Sequence, residues 1–202
     1  MICILTGDIV GSRKIKDSWL LSLKNALKVI SGQNKWEIYR GDSFQVEVEP
    51  ANAIKSAAYL KACIRVNKPA DVRMGIGIGD LKSKRKKLSE SSGDAFVNSG
   101  AAFDGLKQAK VNLAVKTDWA DFDEEINILI KLALIAMDSW GVVAAEMVKL
   151  ALENEDAVQS ELAALSGRTQ SSVSEALTRA HYSEILEMDQ LYRKKLNLML
   201  SK

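Results

Sequence analysis

The architecture of this chain can be worked out from one segment, Trp36-Glu37-Ile38-Tyr39-Arg40-Gly41-Asp42-Ser43-Phe44-Gln45-Val46-Glu47-Val48. Two runs rich in aromatic and β-branched residues flank the pair Gly41-Asp42, and this pattern predicts a β-hairpin. In the second run apolar and polar residues alternate from Phe44 to Glu49. Because successive side chains of a strand point to opposite faces, that strand should bury one face and leave the other polar.

Asp42, at the tip of the predicted hairpin, has two interpretations. Asp and Gly are both good turn formers, and the pair needs no other reason to be there. Alternatively, a carboxylate held at a rigid tip can bind a cation or a metal-bound phosphate. A second carboxylate favours this alternative. The apolar run from Ile2 to Ile9 predicts a buried strand, and Asp8 lies at its end, in a loop with two glycines that runs to Arg13.

Composition excludes several classes of protein. The 202 residues are 47% hydrophobic and 27% charged, as in an ordinary soluble globular protein. No apolar run approaches the roughly 20 residues that span a bilayer, and the first residues lack the basic start of a signal peptide. The single histidine, His181, and the two cysteines, Cys3 and Cys63, offer neither metal-ligand nor disulfide spacing. We therefore expect a cytoplasmic protein without a membrane partner, whose cysteines lie in the core.

The net charge of +2 conceals an asymmetry along the chain. Residues 119–202 contain 8 Lys and Arg against 14 Asp and Glu, a sum of −6, which leaves +8 for residues 1–118. A change of sign at one point favours two modules. We predict an α+β domain at 1–118 and a helical linker with a helix-turn-helix domain at 119–202.

The first module alternates strands and helices. Apolar residues at helical spacing predict helices at 20–30, after Pro50 and after Asp94, and short apolar runs predict strands at 2–9, 72–79 and 111–115. With the hairpin, this order favours a ferredoxin-like antiparallel sheet with helices on one face. In such a sheet Asp8 and Asp42 converge. Two neighbouring carboxylates suit Mg²⁺, which prefers oxygen ligands and substrate phosphates.

Two further segments of this module have open interpretations. In the strand from Val72 to Gly79, glycines alternate with larger residues, so another part of the chain or a ligand should lie close to that face. The run from Lys82 to Lys87 is strongly basic, and includes Lys84 and Arg85. It is either a solvated loop or an anion site for a triphosphate or a nucleic-acid backbone.

The second module is predicted to be helical throughout. The apolar segment from Ile126 to Met137 is either a buried linker helix or a dimer contact. The segments 158–169 and 170–177 predict a helix, a short turn containing Gly167 and a second helix. This is a helix-turn-helix, with Ala163 and Val173 where the helices cross. A last helix is predicted from Ile185 to Leu200, and His181 before it should be a packing or solvent-facing residue.

The ordered motifs of the chain resemble those of the SatD family. They are Gly7-Asp8-Ile9-Val10-Gly11-Ser12-Arg13, Gly41-Asp42-Ser43-Phe44, Arg73-Met74-Gly75-Ile76-Gly77-Ile78-Gly79, Gly93-Asp94-Ala95-Phe96-Val97-Asn98 and a helix-turn-helix between Gln159 and Arg179. The resemblance covers nearly the whole chain. It implies a cyclase-like domain followed by a helix-turn-helix tail, but it implies no defined activity.

The N-terminal motifs are also distantly similar to the catalytic fold of class III nucleotidyl cyclases. This resemblance implies that Asp8 and Asp42 match the metal-binding aspartates, with the Ile9 carbonyl as a further ligand, and that Asn98 matches the asparagine facing the nucleotide. The chain departs from the pattern where the transition-state arginine is expected, because Ala102 and Phe103 stand there. It also has Ile38 in place of the adenine-selecting lysine. Efficient cyclase chemistry, which depends on charges aimed at the developing anion, is not expected.

The first functional hypothesis is therefore a regulator that binds DNA and is controlled by a nucleotide or phosphate ligand, with or without Mg²⁺. The ligand-binding candidates are Gly11, Ser12, Arg13, Gly41, Asn98, Lys84 and Arg85. The DNA-binding candidates are Arg168, Thr169, Gln170, Ser171, Ser172, Ser174 and Arg179. Because DNA affinity comes largely from cations meeting phosphates, an acidic tail should bind weakly as a monomer. Binding would then need a homodimer, which we expect, or help from the basic N-terminal module.

Two other hypotheses compete with this one. The protein could be a Mg²⁺-dependent nucleotidyl cyclase or nucleotidyltransferase with a regulatory tail, in which a cation elsewhere replaces the missing arginine. Alternatively, it could be a non-catalytic interaction protein that keeps the fold without a ligand, in which case the last helices are an oligomerisation unit.

Overall fold

The computed structural model describes residues 1–12, 18–32, 35–85 and 87–201, and it has an α+β fold. The elements are β1 (Ile2–Val10), α1 (Ser18–Ser31), β2 (Trp36–Tyr39), β3 (Ser43–Val48), α2 (Ala53–Arg65), β4 (Asp71–Gly79), β5 (Leu81–Ser83), β6 (Ser92–Gly93), α3 (Asp94–Ala109), β7 (Leu113–Lys116), α4 (Ala120–Met137), α5 (Val142–Glu153), α6 (Gln159–Ser166), α7 (Gln170–Arg179) and α8 (Tyr182–Leu200). Short 3₁₀ turns lie at Pro50–Asn52 and Leu88–Glu90.

The predicted hairpin is confirmed. Strand β2 pairs antiparallel with β3 from Trp36 opposite Val46 to Tyr39 opposite Ser43. Between them Arg40 and Gly41 both adopt positive φ, 52° and 90°, the backbone that a tight hairpin turn requires. The apolar residues of β3 are buried and the polar ones are partly exposed, as the alternation predicted.

The main sheet has five strands in the order β2-β3-β1-β4-β7. Its first four strands are antiparallel to their neighbours, but β7 pairs parallel with β4. The prediction of a purely antiparallel sheet is therefore wrong for its last strand. The reason is that α3 connects β4 to β7 as a crossover, which brings the chain back in the same direction.

The prediction of helices on one face is also wrong, because α3 covers the face opposite α1 and α2. On one face Leu5, Val46 and Ile76 join a core cluster with residues of α1 and α2. On the other face the Thr6 and Ser99 hydroxyls are hydrogen-bonded at 2.9 Å, which joins β1 to α3.

The glycines of β4 explain how α3 comes so close to the sheet. A Cβ atom on Gly75 would lie 2.4 Å from the Phe103 nitrogen, and one on Gly77 would lie 2.1 Å from the Ser99 nitrogen. Such distances are far inside van der Waals contact, so only glycine permits this helix–strand packing. The chain itself, through α3, therefore occupies the face that the alternating glycines leave open.

The helical part is joined to the sheet at its β7 edge. The side-chain amide of Asn127, on α4, accepts from the Val115 N–H at 2.8 Å and donates to the Val115 carbonyl at 2.9 Å. The apolar cluster continues from the sheet through α4, α5, α7 and α8, across the predicted boundary at residue 118. Among the described residues no helix has the length and hydrophobicity to cross a membrane.

A polar network around the buried side chain of Lys61 holds the two parts together. The Lys61 ammonium on α2 contacts Asp71 of β4 at 2.8 Å and Asp138, which follows α4, at 2.6 Å. Arg65, one turn further along α2, pairs with Asp71 at 2.7 Å and donates to the Trp140 carbonyl. The indole N–H of Trp140 in turn donates to the Ala180 carbonyl at the end of α7.

Candidate functional site

The carboxylates predicted to converge lie at the same end of the sheet. Asp8, near the end of β1, stands opposite Ser43 of β3 and opposite Arg73 of β4. Asp42 directly precedes Ser43, and its carbonyl accepts from the Ile9 N–H at 3.1 Å. The β1 end and the hairpin tip are thus fixed to each other by backbone hydrogen bonds.

The positive charge next to Asp8 comes from a side chain of the protein, Arg73. Arg73 forms a two-pronged contact with Asp8, in which Nε donates to Oδ1 at 3.0 Å and a terminal nitrogen donates to Oδ2. This hydrogen bond and the negative charges of Asp8 and Asp42 raise the pKa of Arg73, so Asp42 also lies within its electrostatic reach. The side chains of Asp8 and Arg73 are 20% and 33% exposed, so the pair is open to solvent on one side.

Asp42 is held from the other direction by the loop that follows β1. The Ser12 hydroxyl donates to its Oδ2 at 2.7 Å. Gly11 and Gly41, which flank this contact in the two loops, have φ values of 80° and 90°. Left-handed backbone at these places favours glycine and lets the two loops meet. Arg13, also a candidate in this loop, lies outside the described residues.

A polar chain runs across the sheet beside this pair. Gln45 donates to the Thr6 hydroxyl at 3.2 Å, and Thr6 is hydrogen-bonded to Ser99 of α3. The backbone N–H of Ser89, in the 3₁₀ turn, donates to the Glu37 carboxylate of β2 and brings that turn close to the same face. The sheet face between α3 and this turn is therefore polar, in contrast to the apolar face under α1 and α2.

Asn98, matched by resemblance to a nucleotide-facing asparagine, is buried against the sheet. Its amide donates to the Ile78 carbonyl at 2.9 Å and approaches Asp118 Oδ1 at 3.4 Å. These contacts tie α3 to β4 and to the residues after β7. The structure does not bring Asn98 into contact with Asp8, Asp42 or Arg73 within the described part of the chain.

The basic candidates Lys84 and Arg85 are both exposed, on the loop between β5 and the 3₁₀ turn. The Ser91 hydroxyl accepts from the Arg85 N–H at 3.0 Å, which shapes the loop. Lys82, earlier in the same run, pairs with Asp94 at the start of α3 at 2.6 Å. Lys86 lies outside the described residues, so the run remains a candidate anion-binding loop through Lys84 and Arg85.

The donor atoms at the sheet end agree in kind with Mg²⁺, which takes carboxylate and carbonyl oxygens. Asp8 and Asp42 supply the carboxylates. The Ile9 N–H points toward the hairpin, and its carbonyl faces the same neighbour, because a strand residue directs both groups to one side. Within the described ranges no group of three or more His, Cys, Asp or Glu residues is arranged to hold a metal. Arg73 donates to both oxygens of Asp8, so it would compete with a metal for that carboxylate.

The pair α6–α7 forms as the sequence predicted, with a three-residue turn between the helices. Gly167 ends α6 with a φ of 65°, and the Arg168 N–H donates back to the Ala163 carbonyl. The Thr169 hydroxyl then caps α7 by accepting from the Ser172 N–H at 3.3 Å. Ala163 and Val173 are buried as expected for helices in contact.

The remaining DNA-binding candidates lie on or beside the outer side of α7. Gln170 and Ser171 are exposed, Ser172 and Ser174 are partly exposed, and Arg179 is exposed at the far end. Arg179 pairs with Glu175 at 3.3 Å, and Arg168 pairs with Glu146 of α5 at 3.0 Å. Both cations are thus shared with carboxylates of the protein, which lowers the positive field available to a nucleic acid.

Sequence reasoning missed the contact of Arg73 with Asp8. Arg73 was visible only as the first polar residue before the alternating glycines, and its contact with Asp8 depends on the register of β4 against β1. The two cysteines are buried as predicted, and burial raises the pKa of the Cys63 thiol to about 12. His181 is exposed, 3.8 Å from Glu184.

Comparisons with protein-family models, with curated proteins and with solved structures give no match for this chain. The assignment of a function therefore depends on the geometry of the two sites and on the motifs of the sequence.

Proposed function

We propose that the protein is a DNA-binding regulator whose N-terminal module takes a phosphate-bearing ligand, a nucleotide in particular, together with Mg²⁺. The ligand would lie at the sheet end, against Asp8, Asp42, Ser12 and Arg73. The helix pair α6–α7 would serve as a helix-turn-helix. The strand order β2-β3-β1-β4, with α1 and α2 on one face, supports the comparison with ferredoxin-like and cyclase-like folds.

The observation that carries the DNA-binding part is the outer surface of α7. Its inner side is fixed by the buried residues Val173, Ala176 and Leu177. Its first turn presents Gln170 and Ser171 to solvent. Gln can make paired hydrogen bonds to adenine in the major groove, and Ser can bond base edges or phosphates. A rigidly held helix with short polar side chains in its first turn suits base recognition.

A homodimer would compensate for the weak positive field of this module. Ile128, Leu132 and Ile135 of α4 form an exposed apolar stripe at helical spacing, while the opposite side of α4 is buried. Exposed apolar stripes of this kind mark protein–protein contacts. Pairing two copies would double the DNA contacts and set a fixed spacing between two α7 helices.

The DNA-binding proposal is tested by selecting ligands from a random double-stranded DNA pool at low salt. We expect enrichment of a defined sequence, and weakening of its binding by about 1–3 kcal/mol in Gln170→Ala. The matched control is Gln159→Ala, an exposed glutamine at the start of α6. Failure to enrich any sequence would favour the non-catalytic interaction protein.

The ligand-binding proposal is tested by thermal denaturation with ATP and GTP, with and without Mg²⁺. A ligand that binds only the folded state adds about 2.7 kcal/mol to the unfolding free energy at a hundredfold excess over Kd. We expect a stabilisation that requires both Mg²⁺ and nucleotide and that disappears in Asp42→Asn. The absence of any nucleotide effect would refute this part of the proposal.

A second candidate function is a Mg²⁺-dependent nucleotidyl cyclase or nucleotidyltransferase, and the position of Arg73 favours it. The sequence lacks the expected arginine on α3, but Arg73 supplies a cation hydrogen-bonded to Asp8, at the end of the sheet where Asp42 also lies. Cationic groups stabilise the charge that develops during phosphoryl transfer. Incubation with ATP and Mn²⁺, followed by analysis for pyrophosphate and cyclic nucleotide, distinguishes an enzyme from a binding module.

A further inference from the structure

The contact between Arg73 and Asp8 has two properties that are unusual in combination. Its geometry is the strong one, because a guanidinium fork meets both carboxylate oxygens. Its position is open, since a third of the Arg73 side chain and a fifth of the Asp8 side chain are exposed. A strong but accessible ion pair can exchange partners when an ion of higher charge arrives, because solvent stabilises each group while it is unpaired.

The charge of Asp42 favours an exchange in which a divalent cation replaces Arg73. Arg73 is hydrogen-bonded to Asp8, and Asp42 lies next to this end of β1 because its carbonyl accepts from the Ile9 N–H at 3.1 Å. One guanidinium therefore neutralises only half of the negative charge that Asp8 and Asp42 carry together. A divalent cation would neutralise all of it, and would leave the positive charge of Arg73 free at the edge of the site.

We propose that Arg73 is an exchangeable internal counter-ion: a divalent cation takes its place on Asp8, and the released guanidinium binds the phosphate that the cation carries. This inference rests on the proposed function and names how its ligand is recognised. The ligand class is a metal-complexed polyphosphate. Metal alone must compete with Arg73, and polyphosphate alone meets two carboxylates, so each binds poorly without the other.

If this exchange occurs, a single variant should bind the metal more tightly and the triphosphate more weakly. Replacing Arg73 by Gln removes the competitor of the metal and also removes the partner of the phosphate. We expect Mn²⁺ alone to bind about three- to tenfold more tightly to Arg73→Gln than to the unaltered protein. We expect inorganic triphosphate, added with saturating Mn²⁺, to bind about tenfold more weakly to the variant.

The experiment uses the full chain, with the electron paramagnetic resonance signal of free Mn²⁺ to measure metal affinity and titration calorimetry to measure triphosphate affinity. Lys35→Gln is the matched control. Lys35 also pairs with a carboxylate of the sheet, Glu47 of β3, at 3.0 Å. This change therefore removes one positive charge without altering the contacts of Asp8. Thermal unfolding of both variants verifies that they are folded, and Arg73→Ala serves as a second variant.

The outcomes separate the inference from the proposed function. Tighter Mn²⁺ with weaker triphosphate in Arg73→Gln, and neither change in Lys35→Gln, supports the exchange. If the unaltered protein binds Mn²⁺–triphosphate and Arg73→Gln leaves the Mn²⁺ affinity unchanged or lowers it, Arg73 is a fixed structural partner and the inference is overturned. If neither protein binds Mn²⁺ or Mn²⁺–triphosphate, the inference and the proposed ligand site fail together.

Discussion

Strand β4 begins with two ion-pairing residues that have opposite surroundings. Asp71 belongs to a closed network around the Lys61 ammonium, in which the Lys61 side chain is 1% exposed, Asp71 is 14% exposed and Asp138, at its outer side, is 38% exposed. Arg73, two residues later, belongs to the pair with Asp8 that is open to solvent. The network links α2, β4 and α4, whereas the open pair links only neighbouring strands that are already joined by backbone hydrogen bonds.

This difference teaches which charges support the fold and which are available for binding. Removing one partner of a buried pair leaves an unneutralised charge in a low-dielectric interior, which is costly. Removing one partner of an open pair leaves a charge that water can solvate, which costs little. The closed network should therefore control stability, and the open pair should control ligand binding.

The largest expected effect is that of Lys61→Met. The substitution removes two charge-assisted contacts of the buried Lys61, although Asp71 keeps Arg65 and Asp138 is 38% exposed, and the free energy of unfolding should fall by about 3 kcal/mol. Chemical denaturation measures this loss. Lys55→Met is the control on the same helix, because Lys55 pairs with the exposed Glu155 and its removal should cost less than about 1 kcal/mol. Equal losses in the two variants would contradict the distinction between closed and open pairs.

Trp140→Phe tests whether the closed network extends to α7. The substitution removes the indole N–H that donates to the Ala180 carbonyl at 3.0 Å, a buried contact. Leaving that carbonyl without its partner should cost about 1–3 kcal/mol. Amide hydrogen exchange in α7 should be faster in the variant than in the unaltered protein, and the increase should be larger in α7 than in α3. Unchanged exchange in α7 would mean that the network ends at Trp140.

Arg73→Ala should change the free energy of unfolding by no more than about 1 kcal/mol, because its pair with Asp8 is open. The same denaturation experiment measures it beside Lys61→Met. A loss as large as that of Lys61→Met would show that Arg73 also supports the fold, and would remove the basis for its exchange.

The smallest expected effect concerns a carboxylate between these extremes. Asp189 of α8 accepts from the Lys55 N–H at 3.1 Å and pairs with Arg193, yet burial raises its pKa against these contacts. A raised pKa in the folded state adds stability that is complete at low pH and is lost as the pH rises through that pKa. Relative to Asp189→Asn, the unaltered protein should therefore gain stability as the pH falls from 7 to 4. A pH-independent difference between the two would show that pairing cancels the effect of burial.

Much of the fold was predictable because its signals are local. The hairpin followed from apolar alternation around Gly41, and the α6–α7 pair from helical spacing around Gly167. The alternating glycines of β4 predicted a close approach, but they could not identify α3 as the approaching element, because the same pattern admits a ligand. The two faces of the sheet could therefore not be assigned.

The candidate site was only half predictable. Asp8 and Asp42 followed from their positions at the ends of strands, but the contact of Arg73 with Asp8 depends on strand register, which the sequence does not display. Asn98 was matched through resemblance, and its contact with the Ile78 carbonyl reflects helix packing that no motif records. Lys61 was hidden in the apolar stripe of α2, where a buried cation is rare without acidic partners.

The contact between Asn127 and Val115 determines where the chain can be cut to give a stable N-terminal fragment. The Asn127 amide occupies the hydrogen-bonding groups that a neighbouring strand would otherwise use at the β7 edge. An N-terminal fragment that stops at residue 118 would expose this edge, and open strand edges promote aggregation. During synthesis the same edge stays unprotected until α4 has left the ribosome. A soluble N-terminal fragment should therefore extend through α4, so the change of charge at residue 118 is a poor guide for cutting the protein.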